Sequence, residues 1–395
     1  MRWNCLGGIL LIALAGCSAQ PTARQNTPAA VHTPSQSTQA APTAASTPVN
    51  AASPSSSPTP APFPLSEPGP HAVGRHTLTV RDESRNGREI YAAIYYPAIL
   101  PEDSDGDAMV LDAEPDPGRA PYPVILTGVN SGSYLFRSHL ASYGFVTVIV
   151  RSPGFSYTAP WNNAVIDAPL DFLFILDELT THPPAGLEGI LDTDRVGVGG
   201  YSSDGLFSLA LGGARINPVY YVSRCAQAHD MDPPLEPYLI QYFCSLSERW
   251  DEFSSQVGAD IATGSEGLWQ PTTDDRILVV MPMAPDSAWL YGAEGLAAID
   301  IPSLMIAGTA DVLSSYELAT CYTYAHLVNS DRVLISFIDR GHMMVETEEV
   351  IRRINHFAVA FFGYYLQGRD AYADYFSEDF VAQFDDLACG IYPGD

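Results

Sequence analysis

The feature that most constrains this chain is an alternation of two periods. Short apolar runs of the doubly buried strand type, at residues 123–126, 145–150, 196–199, 277–281, 303–307 and 332–338, alternate with helix-length segments. The helical segments are 134–143, 164–180, 203–214, 314–327 and 348–366, several with apolar residues three and four apart. A strand that is apolar on both faces has to be covered on both faces, and parallel neighbours need crossover connections. The alternation therefore predicts an α/β fold with a mostly parallel central sheet and helices on both faces. Ahead of it, the alternating stretches 76–80 and 89–96 predict an antiparallel pair joined by a turn around Asn86-Gly87. Ligands of such folds gather outside the carboxyl ends of the strands, so reactive side chains are sought on the loops that follow strands.

The first 68 residues are of another kind. Residues 1–17 pair Arg2 with an apolar run from Leu6 to Ala15, too short for a permanent membrane span, and read as a signal peptide. The run closes on Leu14-Ala15-Gly16-Cys17, which resembles the bacterial lipobox. That resemblance implies cleavage before Cys17 and acylation of its thiol, hence a membrane partner through an N-terminal lipid anchor. An ordinary signal peptide that happens to contain a cysteine is the alternative. Residues 18–68 are almost all Ala, Pro, Thr, Ser, Gln and Asn, with too little apolar area to offset ordering entropy, and read as a disordered tether. Residues 69–395 then form one large catalytic domain, long enough for a single sheet with insertions.

A formal net charge of −27 argues against nucleic acid or an anionic membrane surface as a partner. The sequence contains no lysine, which excludes Schiff-base chemistry on this chain. Four cysteines follow the tether, Cys225, Cys244, Cys321 and Cys389, an even count in a chain read as exported. Of the three connectivities, Cys225 with Cys244 and Cys321 with Cys389 is the simplest. Their wide spacing lacks the close pairs of a zinc site. Residues 225–269 interrupt the alternation with prolines, aromatics and at least one helix, and are expected to be a helical insertion over the site, either a substrate-shaping cap or a surface helix pair stapled by a disulfide.

The chemistry concentrates after three strands. The run ending at Gly199 leads into Gly200-Tyr201-Ser202-Ser203-Asp204-Gly205 and at once into an apolar helix. Strand, tight turn and helix expose the Ser202 hydroxyl above the sheet as a candidate nucleophile. The run 303–307 leads to Asp311, a candidate orienting acid, and the run 332–338 leads to His342, a candidate base. Asp339 is the rival acid. Two backbone N–H groups are expected to stabilise an oxyanion, one from Ser203 and one from Val129 in the loop Thr127-Gly128-Val129-Asn130.

On these residues the chain resembles the α/β-hydrolase superfamily, whose elbow reads Gly-x-Ser-x-Gly and whose triad runs Ser, Asp, His along the chain. Here Asp204 occupies the second glycine position, with Gly205 beside it, and Thr127 stands where relatives usually carry histidine. The segments Ala284-Pro285-Asp286, Tyr291-Gly292, Gly295-Leu296, Ile301-Pro302 and 356–362 resemble the branch containing platelet-activating-factor acetylhydrolases and dienelactone-hydrolase-like proteins, with polyester-degrading cutinase relatives nearby. The resemblance implies a serine carboxylic ester hydrolase that needs no metal or organic cofactor. It also implies a small-molecule or lipid ester substrate carrying a short acyl chain, including acetylated or oxidised phospholipids. A carboxylate at 204 so close to a developing oxyanion would oppose it. With Thr127 in place of the usual histidine, this motivates the alternative of a surface binding protein that kept the fold without turnover.

Overall fold

The computed structural model describes residues 62–100, 109–132, 136–154, 162–286 and 288–394. The expected signal peptide, the expected lipid anchor at Cys17 and the expected tether up to residue 61 lie outside the described residues.

The antiparallel pair is β1 (Ala72–Asp82) and β2 (Arg88–Ile99), turning through Asn86 and Gly87, both at positive φ. Short strands β3 (Val110–Leu111) and β4 (Glu114–Pro115) add to β1 and β2 respectively. The centre consists of β5 (Tyr122–Gly128), β6 (Val146–Arg151), β7 (Leu191–Tyr201), β8 (Ile277–Met283), β9 (Ser303–Gly308) and β10 (Arg332–Phe337). A last strand, β11 (Leu387–Cys389), closes one edge antiparallel to β10. Together they make one eleven-stranded sheet in the order β11-β10-β9-β8-β7-β5-β6-β2-β1-β3, with β4 beside β2. The run from β6 to β10 is parallel throughout. The chain moves from β5 out to β6 and then back across β5 to β7. That reversal opens a crevice at the carboxyl ends of β5 and β7.

Helices alternate with these strands: α1 (Val129–Gly132), α2 (Arg137–Ser142), α3 (Asn162–Thr181) and α4 (Ser203–Leu211). The insertion between α4 and β8 carries α5 (Pro218–Ala226), α6 (Pro237–Phe243), α7 (Trp250–Val257) and α8 (Ala259–Ala262). Then follow α9 (Gly292–Leu296), α10 (Tyr322–His326), α11 (Glu348–Gln367) and α12 (Glu378–Val381). The alternation of side chains along β5 divides the core. Val124 and Leu126 pack into a cluster with α3 and α4, while Ile125 faces a second cluster with α2 and α11. The long helix α11 opens on Glu348 and Glu349, favoured at a helix N-terminus, and stops where Gly368 turns left-handed. No helix among the described residues is long and apolar enough to cross a membrane.

Three expectations need correction. The segment 314–327 is not one helix: a π-helical turn, Tyr316–Cys321, precedes α10. Asp311 draws the N–H groups of Leu313 and Ser314 onto its own carboxylate at 2.9 Å, so the chain there wraps the acid before a helix can start.

The tether does not run to residue 68. Phe63 and Leu65 are 8 % and 7 % exposed and belong to the core around α11. Phe63 stacks on Phe384 and meets His356, Phe357 and Phe380 edge-on, with the Arg353 guanidinium over its ring. The Leu65 N–H donates to His356 Nδ1 at 3.0 Å, the Tyr143 hydroxyl donates to the Glu67 carbonyl, and Arg352 pairs with the Glu67 carboxylate.

Of the two expected disulfides, Cys225–Cys244 is formed, tying the end of α5 to the end of α6. Cys321 and Cys389 are free thiols. The C-terminal tail is held instead through Tyr316: its hydroxyl meets Ser336 Oγ at 2.7 Å and accepts the Tyr392 N–H, while Ser336 Oγ donates to the Gly390 carbonyl.

Candidate active site

The three residues singled out in the sequence follow β7, β9 and β10 and are brought together at the carboxyl edge of the sheet. His342 Nε2 lies 3.0 Å from Ser202 Oγ, and His342 Nδ1 lies 2.7 Å from Asp311 Oδ2. An ionised carboxylate can only accept, so Nδ1 carries the proton and Nε2 is left to accept from the Ser202 hydroxyl. Asp311 is buried, and its other oxygen is occupied by the two N–H groups of the wrapping loop. The acid thus has one orientation, and the imidazole tautomer follows from it. Asp339, the rival acid, is exposed at a left-handed corner whose N–H donates to Thr309 Oγ1.

Ser202 sits at φ 61° and ψ −120°, a conformation that costs a non-glycine residue about 1–3 kcal/mol. The surroundings hold it there. Its N–H donates to the Met283 carbonyl on β8, and its carbonyl accepts from Leu206 and Asp286. The glycine that lets α4 approach the sheet is Gly205, where a Cβ would come within 2.7 Å of the Met283 carbonyl oxygen. Position 204 faces elsewhere, which is why the elbow tolerates a side chain there.

Asp204 is 3 % exposed, and its carboxylate lies under the turn that follows β5. It accepts the Ser131 N–H at 2.8 Å, the Ser131 hydroxyl at 3.0 Å and the Asn130 N–H. Room for it comes from Gly128, where any Cβ would overlap the carboxylate. Burial pushes its pKa up to about 6, against the pull of those three donors. Ser131 Oγ in turn accepts the Tyr201 N–H at 2.6 Å. Val129, the second expected oxyanion donor, opens α1 in this turn, so the turn and the elbow carrying Ser203 are stitched directly to each other.

Two contributors were not visible in advance. The Tyr201 hydroxyl donates to the His342 carbonyl at 2.7 Å and its ring lies against the imidazole, so the residue before Ser202 also holds the base. Asp286, on the loop after β8, is 5 % exposed and accepts from the Tyr242 hydroxyl at 3.1 Å and the Ser203 hydroxyl at 3.4 Å. Its position after a buried strand is the signal it shares with Asp311 and His342. Tyr242 lies on α6, so the insertion does reach the elbow.

No group of His, Cys, Asp and Glu side chains among the described residues is arranged to hold a metal ion. The chain matches no known protein-family model, and no curated protein matches it.

Proposed function

We propose that this protein is a serine carboxylic ester hydrolase of the α/β-hydrolase fold, acting on short-chain acyl esters. The observation that carries the reading is the continuous contact from Asp311 through His342 to Ser202, at 2.7 and 3.0 Å, on a serine held in a strained turn. In this reading His342 takes the proton from Ser202 as the hydroxyl attacks the ester carbonyl, and Asp311 stabilises the imidazolium that forms. The oxyanion is met by the N–H groups of Ser203 and Val129. His342 then returns its proton to the leaving alcohol, and a water molecule, activated by the same imidazole, releases the acid. No step calls for a cofactor.

The branch of acetylhydrolases and dienelactone-hydrolase-like proteins supplies the substrate class, including acetylated or oxidised phospholipids. Acylation at Cys17 places the enzyme on the outer side of a bacterial membrane, held off it by the proline-rich tether. A binding role without turnover was motivated by Asp204 and by Thr127 in place of a histidine; the Asp204 carboxylate is engaged by Ser131 and Asn130, which supports the hydrolase reading over it.

The test is hydrolysis of p-nitrophenyl esters from acetate to octanoate by the full chain and by Ser202→Ala, together with labelling by a serine-directed phosphonate. Turnover and labelling that both disappear in the variant support the proposal. Equal turnover in the two proteins, or none in either, would sink it.

A further inference from the structure

The loop after β8 places a carboxylate where the ester hydrolase proposed above assigns it no task. Asp286 is 5 % exposed, and among the described residues it forms no ion pair with arginine. Its backbone N–H donates to the carbonyl of Ser202 at 3.2 Å. Its side chain receives one hydroxyl from the elbow, Ser203, and one from the insertion, Tyr242, both on Oδ2. The charged groups that face it are His342 and Asp311.

An apolar residue could fill such a position without the desolvation cost of a buried charge. A carboxylate is useful there because a single oxygen can accept from two hydroxyls on two different elements. We infer that Asp286 is a positioning residue, a latch that fastens the Tyr242 end of the insertion to the Ser203 turn and so holds the oxyanion donor of the proposed reaction in place. The inference rests on that reaction for its kinetic consequence but not for its structural one.

The neighbouring architecture fits a latch. The Cys225–Cys244 bridge closes two residues beyond Tyr242, so the C-terminal end of α6, which carries Tyr242, is tied covalently to the end of α5 and by a hydrogen bond to Asp286. Behind it, Phe243 packs on Trp289, and Tyr221, Trp250, Phe253 and Trp269 form one continuous aromatic layer. The insertion is thus packed on the same core as α4, and Tyr242 brings one of its side chains to the carboxylate beside the elbow. Burial pushes the Asp286 pKa up to about 6, opposed by the two hydroxyls and by His342 and reinforced by Asp311. The Ser203 N–H is needed only once the oxyanion forms, so a loosened turn lowers kcat and kcat/KM together and leaves KM in place.

The experiment compares Asp286→Ala, Asp286→Asn and Tyr242→Phe with wild type in the full chain, after melting curves establish that each is folded. Hydrogen exchange over residues 237–243 reads the latch without any turnover. Ester hydrolysis reads its effect on the site through kcat and KM. Asp286→Ala and Tyr242→Phe should exchange faster over 237–243 and lose about tenfold in kcat at unchanged KM. Asp286→Asn keeps an acceptor but not the ionisation. It should recover most of the exchange protection and kcat. Wild-type exchange in Asp286→Ala overturns the latch, and faster exchange without a fall in kcat overturns its positioning role. If even wild type shows no Ser202-dependent turnover, the hydrolase reading fails by itself and exchange over 237–243 alone decides whether the latch exists.

Discussion

The carboxylate of Asp204 holds the N–H and the hydroxyl of Ser131, at 2.8 and 3.0 Å, and Ser131 holds the N–H of Tyr201. An acid that stands in a glycine position of the elbow is thus a tie between the elbow and the turn after β5. Replacing Asp204 by Ala strands buried donors on Ser131 and Asn130 and should cost about 2–3 kcal/mol of stability. With the turn released, kcat/KM should fall at least tenfold on the best p-nitrophenyl ester. Were the carboxylate acting mainly against the oxyanion, the same substitution would raise turnover, so the sign of the change decides between the two roles.

Tyr201 reaches His342 from the turn that carries Ser202. Its hydroxyl is the donor to the His342 carbonyl, so Tyr201→Phe removes one hydrogen bond and leaves the ring against the imidazole. A neutral bond of this kind contributes about 0.5–1.5 kcal/mol net. The expected result is a three- to tenfold loss in kcat/KM with a melting temperature lowered by a few degrees at most. Full activity in the variant would show that Asp311 alone suffices to place His342.

Much of this site could be read from the sequence because each of Ser202, Asp311 and His342 directly follows a strand whose apolar run is unambiguous. Local pattern fixes such positions. The contributions that escaped are those decided by partners distant in the chain. Phe63 and Leu65 are two apolar residues among prolines and serines, and only α11 and the segment carrying Phe380 and Phe384, near the far end of the chain, give them something to bury against. Asp204 reads as an intruder until Gly128 and Ser131 are seen around it. The pairing of Cys321 with Cys389 was inferred from an even count, which carries no geometry; Tyr316 and Ser336 already tie down the tail those cysteines were expected to secure.

The docked segment at 63–67 makes the start of the domain a stability question. Phe63 sits in a cage of four aromatic rings with a guanidinium over its face, and emptying it leaves a cavity in the second core cluster. Phe63→Ala should cost roughly 3 kcal/mol, the lower end of the range for buried phenylalanine. A chain begun at His71 should lose at least as much, whereas one begun at residue 59 should melt like the full protein. Equal melting temperatures for the chains begun at 59 and 71 would mean that the segment contributes nothing.

His356 makes the same contact sensitive to acid. Its Nδ1 accepts the Leu65 N–H, which only an unprotonated nitrogen can do, and burial among Phe63, Phe357, Tyr375 and Phe380 pushes its pKa down to about 3. The unfolded chain takes up this proton near pH 6.5 and the folded chain does not. The stability that His356 contributes is therefore complete above pH 6.5 and is lost as pH falls from there toward 3, at up to about 1.4 kcal/mol per pH unit. Glutamine at 356 offers an oxygen acceptor that never titrates. Between pH 6.5 and 5.5 wild type should lose roughly 1 kcal/mol more than His356→Gln in denaturant unfolding. Two parallel stability curves over that interval would show that the buried imidazole is protonated as readily in the fold as out of it, and that its bond to Leu65 does not depend on a neutral ring.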